Sequence, residues 1–183
     1  MKRLCVFCGS RTGVRPIYAL QAQNLGQLMA ARGIELVFGG GHIGLMGVIA
    51  DAVLQAGGKV IGVIPRSLVE RELAHPGVTE MHIVETMHER KAKMAELSDA
   101  FVALPGAYGT ADEMFEILTW AQLGIHSKPA GILNTDGFFA HLLSWLDHAS
   151  AEGFLKPKHR DLFVVQSTCA ELLDALGNHR DKL

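Results

Sequence analysis

The chain has 183 residues, of which 49% are hydrophobic and 20% are charged, and its net charge is −2 at pH 7. These values suit one soluble domain over residues 1–183, and a near-neutral charge without a basic stripe argues against a nucleic-acid partner. No apolar run reaches the roughly 18 residues that a membrane helix needs, so we expect no membrane partner either. Residues 1–7 resemble a first strand rather than a signal peptide, which predicts a cytoplasmic protein.

Short apolar runs alternate with longer segments of helical period throughout the chain. The predicted strands are residues 3–8, 34–38, 59–64, 80–84, 99–104, 130–134 and 162–165. The predicted helices are residues 16–32, 44–57, 87–97, 111–124, 137–151 and 169–176. This alternation, with near-continuous apolar strands, predicts an α/β fold: a doubly wound parallel sheet with helices on both faces. Ligands of such sheets bind at the carboxyl ends of the strands, where the glycine-rich turns of this chain fall.

The cysteines are Cys5, Cys8 and Cys169, an odd number for pairing. Because side chains alternate along a strand, Cys5 and Cys8 should point to opposite faces of the sheet and should not chelate one metal ion. We therefore expect free buried thiols and no metal site.

The turn after the first strand contains Gly9 and Ser10. Glycine lets a ligand approach the backbone closely, and serine offers a hydroxyl and an N–H group, so both are candidates for substrate binding. A plain strand-to-loop turn explains the same pair equally well.

The turn after the second strand, residues 39–47, is rich in glycine. Gly39, Gly41 and Gly44 fit the G-x-G-x-x-G fingerprint of dinucleotide sites, but the next strand runs into Arg66 without the acid that holds a ribose. Close approach of the backbone to a phosphorylated ligand is the preferred explanation, with Gly41 and Gly44 as contacts. An NADP-linked enzyme that uses Arg66 stays open as an alternative.

Residues 105–113, Pro-Gly-Ala-Tyr-Gly-Thr-Ala-Asp-Glu, join the apolar strand 99–104 to the next helix. Such a junction directs backbone N–H groups and the positive end of a helix dipole at one point, which suits phosphate. Thr110 and Glu113 also fit a capping box, which needs no ligand. A carboxylate in the first helical turn should have a lowered pKa, which predicts that Glu113 stays ionised and is a poor general acid.

The segment from Thr86 to Lys93 opens the helix before that strand, with Arg90 and Lys91 near its start. Arg90 could make a bidentate contact with phosphate or hold a carboxylate, although a solvated basic face is the alternative. Glu72, in the loop after the third strand, is either a second acid of the site or a surface charge.

Helix 111–124 is apolar around most of its circumference. An outer helix on a sheet of this kind usually keeps one face in water, and a helix that is apolar nearly all round must be buried nearly all round. The surplus of apolar residues predicts a subunit interface, most simply that of a two-fold homodimer.

Four ordered motifs give the chain a resemblance to a known family. They are Gly39-Gly-Gly-x-x-Gly-Leu-Met-Gly47, Met87-His-x-Arg-Lys91, Pro105-Gly-x-Tyr-Gly-Thr-x-x-Glu113 and Thr119-Trp-Ala-Gln-Leu-Gly-Ile-His-x-Lys-Pro129. From about Leu4 to Leu176 the chain resembles the LONELY GUY (LOG) proteins, cytokinin riboside 5′-monophosphate phosphoribohydrolases. The resemblance implies a Rossmann-like homodimer without metal or redox cofactor. It implies hydrolysis of the N-glycosidic bond of N6-modified adenosine 5′-monophosphate, with release of the base and ribose 5-phosphate.

The resemblance also implies roles for individual residues. The family's catalytic arginine and glutamate match Arg90 and Glu113. The candidate substrate-binding residues, with those of the loops above, are Gly9, Ser10, Gly41, Gly44, Glu72, Met87, Lys91, Gly106, Ala107, Tyr108, Gly109, Thr110 and Thr119. Ala107 stands where the family usually has glycine, which is harmless if its φ is negative and costs about 1 kcal/mol if φ is positive.

These residues suggest a mechanism and a rival to it. In the mechanism, Glu113 contacts the ribose hydroxyls or the attacking water and offsets the charge of an oxocarbenium-like state, while Arg90 orients Glu113 or binds substrate. No residue is identified as the acid that protonates the departing base. The rival is a non-catalytic carrier of nucleotide or molybdenum cofactor that uses the same phosphate-binding loops.

Overall fold

The computed structural model describes residues 1–69 and 73–178. Its strands are β1 (Arg3–Phe7), β2 (Glu35–Phe38), β3 (Val60–Pro65), β4 (Glu80–Val84), β5 (Ala100–Ala103), β6 (Ala130–Leu133) and β7 (Phe163–Gln166). Its helices are α1 (Pro16–Ala31), α2 (Gly44–Gln55), α3 (Arg66–Val69), α4 (Met87–Leu97), α5 (Tyr108–Gln122), α6 (Ala140–Ala151), α7 (Pro157–Arg160) and α8 (Cys169–Asn178). The predicted alternation of strands and helices, and the doubly wound parallel sheet, are confirmed.

The order of the strands across the sheet is β4-β3-β2-β1-β5-β6-β7, and every neighbouring pair is parallel. The chain builds the sheet outward from β1 in one direction and then from β5 in the other. Leu4 of β1 accordingly pairs with Leu36 of β2 on one side and with Ala100 of β5 on the other. At such a reversal of strand order the loops leaving the two strands diverge, and a ligand-binding crevice opens between them.

Each face of the sheet carries its own buried hydrophobic cluster, because side chains alternate along the strands. Helices α1, α2 and α8 cover the cluster that contains Cys8, whereas α4, α5 and α6 cover the cluster that contains Cys5. Cys5, Cys8 and Cys169 are all free and buried, as expected from the sequence. The helices therefore lie on both faces of the sheet and leave its carboxyl edge for the loops.

Helix α5 begins at Tyr108 rather than at the predicted residue 111. Its N-cap is Ala107, whose carbonyl accepts the N–H of Ala111 at 3.0 Å. The predicted capping box is therefore wrong: Thr110 and Glu113 lie inside the helix, and Glu113 belongs to its second turn. Glycine and threonine suggest a turn and a cap in the sequence, but here they form the first turn of the helix.

Three short elements were not predicted: α3, α7 and the 3-10 turn Thr135–Gly137 that follows β6. In that turn Asp136 has a φ of 51°, in the left-handed region. Its carboxylate pairs with Arg15, just before α1, and so fastens the turn to the start of that helix. Across the described parts of the chain, no helix is long and apolar enough to span a membrane.

Candidate active site

A cavity of about 810 Å³ lies at the carboxyl edge of the sheet, where the strand order reverses. Its volume is within the range of small-molecule sites. The loops after β1, β2 and β5 contribute most of the lining, and α4 contributes one buried side chain. The predicted site residues that line it are Gly9, Ser10, Gly41, Arg90, Gly106, Ala107, Tyr108, Gly109, Thr110 and Glu113.

The loop after β1 is bonded to the loops on both sides of it. The Gly9 N–H donates to the Pro105 carbonyl at 3.0 Å, and the Gly9 carbonyl accepts the N–H of Leu45 at 3.0 Å. Gly44 has a φ of +63°, and a Cβ there would lie 2.6 Å from the Ser10 carbonyl oxygen. Gly44 is thus required for the two loops to meet, although it does not itself line the cavity.

The first turn of α5 presents its backbone to the cavity. Tyr108, Gly109 and Thr110 all line it, and their N–H groups precede the first intrahelical bond, from Ala111 to Ala107. A Cβ added to Gly109 would meet no atom within 4 Å, so the space beside this residue is open. Free N–H groups and the positive end of a helix dipole form an anion-binding site.

Ala107 does not strain this loop. Its φ is −123°, so the negative-φ expectation holds and alanine is harmless at this position. The neighbouring Gly106 is constrained differently, because a Cβ there would lie 2.7 Å from the Cβ of Thr110. The departure from the family pattern therefore falls at the one of these two positions where a methyl group fits the backbone.

Arg90 is buried, and backbone carbonyls hold its guanidinium. Its Nε donates to the Val63 carbonyl at 3.1 Å and its Nη2 to the Gly39 carbonyl at 3.0 Å. A Cβ on Gly39 would lie 2.8 Å from the Arg90 Cζ, so the guanidinium occupies the space that a side chain at position 39 would need. The packing of Arg90 thus explains Gly39 without a dinucleotide.

The remaining edge of the Arg90 guanidinium pairs with Glu113. The Nη1 and Oε1 atoms lie 3.3 Å apart, and the two side chains keep only 9% and 10% of their exposure. Burial raises the pKa of Glu113 to about 7, although the charge of Arg90 opposes the shift. The predicted lowering of this pKa is wrong, because burial outweighs the charge of Arg90 and because Glu113 lies in the second turn of α5 rather than at its terminus. Glu113 can therefore accept or donate a proton near neutral pH.

Lys91 lies beside the cavity rather than in its lining. Its Nζ is 3.1 Å from Asp112 Oδ2 and 3.1 Å from Glu116 Oε1. Desolvation opposes the charge of this amine, but the two carboxylates together raise the pKa of Lys91. The ion pairs tie α4 to α5 on either side of Glu113 along the helix, and so hold that carboxylate against Arg90.

Three further predicted residues of the described chain do not line the cavity. Thr119 is exposed on another side of α5 from Glu113, and Gly44 supports the Ser10 loop as described above. Met87 is exposed at the start of α4. Glu72 lies outside the described residues. The dinucleotide alternative requires Arg66. This residue does not line the cavity, and its Nη2 atom lies 3.0 Å from Oε1 of Glu85.

The side chains of the apolar walls were not predicted as site residues, and apart from Ile43 and Met46 they lie outside the quoted motifs. One wall combines aliphatic side chains from the glycine-rich loop and from β3 and the segment after it: Ile43, Met46, Ile64, Leu68 and Leu73. The other contains Tyr18 of α1 and Phe138 after β6, whose rings meet edge to face at 5.5 Å between centroids. The walls combine side chains from five segments that are distant in sequence, so no spacing could have shown that these segments meet.

Backbone bonds hold the aliphatic wall against the glycine-rich loop. The His42 N–H donates to the Leu73 carbonyl at 3.0 Å, and the His75 N–H donates to the Gly40 carbonyl at 2.8 Å. The side chain of His75 is buried and reaches Asp51 at 3.1 Å. Residues 73–75 therefore form a short antiparallel contact with the loop, centred on the pairing of Gly41 with Ala74.

Comparison with known protein families finds a model described as "possible lysine decarboxylase", which matches residues 46–176. A probable cytokinin riboside 5′-monophosphate phosphoribohydrolase, LOGL1 of Oryza sativa subsp. japonica, is 53% identical over 171 residues, or 93% of this chain and 77% of that protein. The cytokinin riboside 5′-monophosphate phosphoribohydrolase LOG5 of Arabidopsis thaliana is 50% identical over 179 residues, or 98% of this chain and 78% of that protein.

Solved structures of more distant proteins share the fold. The molybdenum cofactor binding protein of the phototrophic bacterium Rippkaea orientalis has a TM-score of 0.74 at 22% identity, over 97% of each chain. The Moco carrier protein of Chlamydomonas reinhardtii has a TM-score of 0.74 at 21% identity, over 100% of this chain and 99% of that one. At these identities the likeness extends to the fold alone. The family model matches residues 46–176, and the two plant relatives are 53% and 50% identical over nearly the whole chain. The chain therefore belongs to the LOG family.

Proposed function

We propose that this protein hydrolyses the N-glycosidic bond of N6-modified adenosine 5′-monophosphates and releases the free base and ribose 5-phosphate. The observation that carries the proposal is the buried Arg90–Glu113 pair in the wall of a cavity that also contains the N-terminus of α5. That combination provides an anion-binding terminus and a carboxylate with a near-neutral pKa in one small-molecule site. The names of the plant relatives support the same reaction.

In this proposal the 5′-phosphate binds at the first turn of α5. The N–H groups of Gly109 and Thr110 are available there, and the loop at Gly9 and Ser10 borders the same space. Gly109 has no Cβ to occupy that space, so a phosphate oxygen can approach the backbone directly. The phosphate would fix the ribose with its anomeric carbon toward Glu113.

Glu113 acts as its carboxylate in the chemical step. It offsets positive charge as the bond between the anomeric carbon and the base breaks, and it accepts a proton from the attacking water. Water thereby supplies the hydroxyl on the anomeric carbon, and the departing base takes up the proton. Arg90 is a positioning residue in this scheme, because its guanidinium is committed to Val63, Gly39 and Glu113.

The apolar walls suit the other end of the substrate. Aliphatic side chains such as Met46, Leu68 and Leu73 line the cavity away from the charged pair, and burial of an apolar substituent against them is favourable by roughly 25 cal/mol per Å². We therefore place the adenine and its N6 substituent on this side. The lining of the described chain offers no lysine for a pyridoxal Schiff base, so the decarboxylase description gains no support from the site.

The proposal also includes the assembly of the protein. We propose that it is a cytoplasmic homodimer and that each copy carries its site residues within a single domain. Leu123 and Ile125, at and just after the end of α5, are 67% and 64% exposed, and Trp145 of α6 is 57% exposed. Phe115 of α5 meets Trp145 edge to face at 6.0 Å, which joins the two helices into one apolar surface. Large exposed apolar surfaces of this kind indicate a protein partner, here a second copy of the chain.

A substrate panel tests the proposed reaction. Purified protein is incubated with AMP, N6-isopentenyl-AMP and the matching nucleosides, and ribose 5-phosphate and free base are quantified. We expect both nucleotides to be cleaved, the prenylated one with the higher kcat/KM, and the nucleosides to react poorly. Binding of nucleotides without any turnover would instead support a carrier, and saturable NADPH binding would support the dinucleotide alternative.

A further inference from the structure

We infer that Arg11 binds the 5′-phosphate of the substrate and sets the preference of the site for nucleotides over nucleosides. The inference rests on the proposed function and adds a residue to it. Arg11 follows Ser10 in the loop after β1, lines the cavity and is exposed. Neither the family motifs quoted above nor the predicted site residues include it.

The backbone of Arg11 is fixed beside the proposed phosphate site. Gly44 approaches the peptide between Ser10 and Arg11 so closely that a Cβ there would overlap it. The same loop is bonded to the loop that leads into α5, through Gly9 and Pro105. The position from which the Arg11 side chain projects is therefore anchored, while its guanidinium remains free to adapt to a ligand.

Arg11 differs from the other arginines in its charge environment. Within residues 1–69 and 73–178, each other arginine pairs with a carboxylate, namely Arg3, Arg15, Arg32, Arg66, Arg90 and Arg160. Arg11 has no ion pair or hydrogen bond of its side chain in the same part of the chain. An arginine that lines a cavity without a carboxylate partner is available to an anionic ligand.

The charges of the cavity lining leave this role to Arg11. When Glu113 is ionised, its charge neutralises that of Arg90, so the pair then adds no net charge toward a phosphate. Burial raises the pKa of Cys8, which keeps this lining thiol neutral. Arg11 is then the unpaired full positive charge among the described lining residues. A guanidinium can contact two phosphate oxygens at once and complements the N–H groups of the α5 terminus.

The test compares Arg11→Gln and Arg11→Lys with wild type, and uses Arg32→Gln as the matched control. Arg32 lies at the end of α1, pairs with Asp174 and does not line the cavity. In Arg11→Gln we expect the KM for AMP and the inhibition constant of ribose 5-phosphate both to rise about tenfold or more. Inhibition by free adenine and kcat should stay within about twofold of wild type, since the proposed function places the base against the apolar walls rather than at Arg11. Arg11→Lys should recover part of the loss.

Two outcomes would overturn the inference. One is an unchanged KM and ribose 5-phosphate inhibition in Arg11→Gln, which leaves the proposed hydrolysis intact if wild type turns over. The other is equal weakening of ribose 5-phosphate and adenine inhibition, which indicates a general distortion of the site. If wild type shows no turnover, calorimetric titration with ribose 5-phosphate still decides: weaker binding in Arg11→Gln alone supports the inference while the proposed hydrolysis fails.

Discussion

The Nη1 atom of Arg90 lies 3.3 Å from Oε1 of Glu113, inside a wall where both side chains are almost fully buried. Its Nε donates to the carbonyl of Val63 in β3, and its Nη2 donates to the carbonyl of Gly39, directly after β2. These bonds prevent the guanidinium from turning away from the acid. This differs from a surface ion pair, which contributes little and exchanges readily. The sheet itself thus determines where the carboxylate sits.

Glu113→Gln should remove the proton acceptor while preserving shape. We expect kcat to fall by about 10² to 10⁴-fold, measured as release of ribose 5-phosphate. Because the proposed reaction uses the ionised form of Glu113 and its pKa is about 7, wild-type kcat/KM should rise with pH through this value, and the residual activity of the variant should not. Glu96→Gln, on the exposed face of α4 and outside the cavity lining, is the control. Near-normal activity of Glu113→Gln would refute the assigned role.

The raised pKa of Glu113 also predicts a pH dependence of stability. The folded state holds the proton up to about pH 7, whereas the unfolded chain releases it near 4.5. The folded state thus binds more protons between these values, and its stability falls as pH rises through the window. From pH 5 to 8 this group should cost about 2 to 3 kcal/mol. Urea unfolding of wild type and Glu113→Gln at both pH values measures how the free energy of unfolding of each protein changes with pH. An equal change in the two proteins would contradict the prediction.

Much of this fold could be predicted from the sequence because the strands are short apolar runs without competing signals. Segment 100–104 and segment 60–64 are continuous enough to be strands covered on both faces, and the turn after segment 100–104 contains glycine. The start of α5 differs from the predicted residue because Gly109 and Thr110 favour turns and caps locally, whereas in the structure they form the first turn of the helix. Tertiary structure overrode local preference at the site.

Gly39→Ala should abolish activity through Arg90 rather than through the backbone. The methyl group would require the space of the guanidinium, and displacement of Arg90 would leave Glu113 and two carbonyls without their partner. We expect a loss of about 2 kcal/mol or more in the free energy of unfolding. Gly177→Ala is the control, because its Cβ meets no atom within 4 Å. Gly39→Ala with normal stability and kcat would show that Arg90 can relocate.

Gly109→Ala should separate folding from binding. The residue lies in the first turn of α5, its φ is not positive and its Cβ would meet open space, so alanine should leave stability unchanged or raise it by up to about 1 kcal/mol. The methyl group would however occupy the proposed phosphate position and raise the KM for AMP by about tenfold or more. Thermal unfolding and steady-state kinetics are measured together. An unaltered KM would mean that the phosphate binds elsewhere.

The proposed dimer can be tested at the end of α5. Leu123→Asp places a charge in an apolar surface that should be buried between two copies, so the mass in solution should fall from that of a dimer toward that of a monomer. Light scattering coupled to gel filtration measures this mass. Leu20→Asp, on the exposed side of α1, is the control. A wild-type monomer, or an unchanged dimer in Leu123→Asp, would contradict the proposed interface.

The candidate site was harder to predict than the fold, for an electrostatic and a geometric reason. The pKa of Glu113 depends on burial, and burial depends on how α4 and α5 pack, which the residues around Glu113 do not show. The bonds that hold Arg90 come from positions 39 and 63, which meet only because β2 and β3 are neighbours in the sheet. The sequence motifs identified Arg90 and Glu113 as site residues. The carbonyls that hold Arg90 are brought together by the order of the strands, which the motifs do not show.

The close contact of Gly39 with Arg90 couples two positions that are distant in the chain. A relative with any larger residue at 39 could not accommodate an arginine at 90 in this conformation, and a relative without that arginine would be free to vary at 39. Positions 39 and 90 should therefore vary together among related sequences. When related sequences are sorted by this pair alone, they should divide into chains that can hold the acid of α5 in this way and chains that use the fold for other purposes.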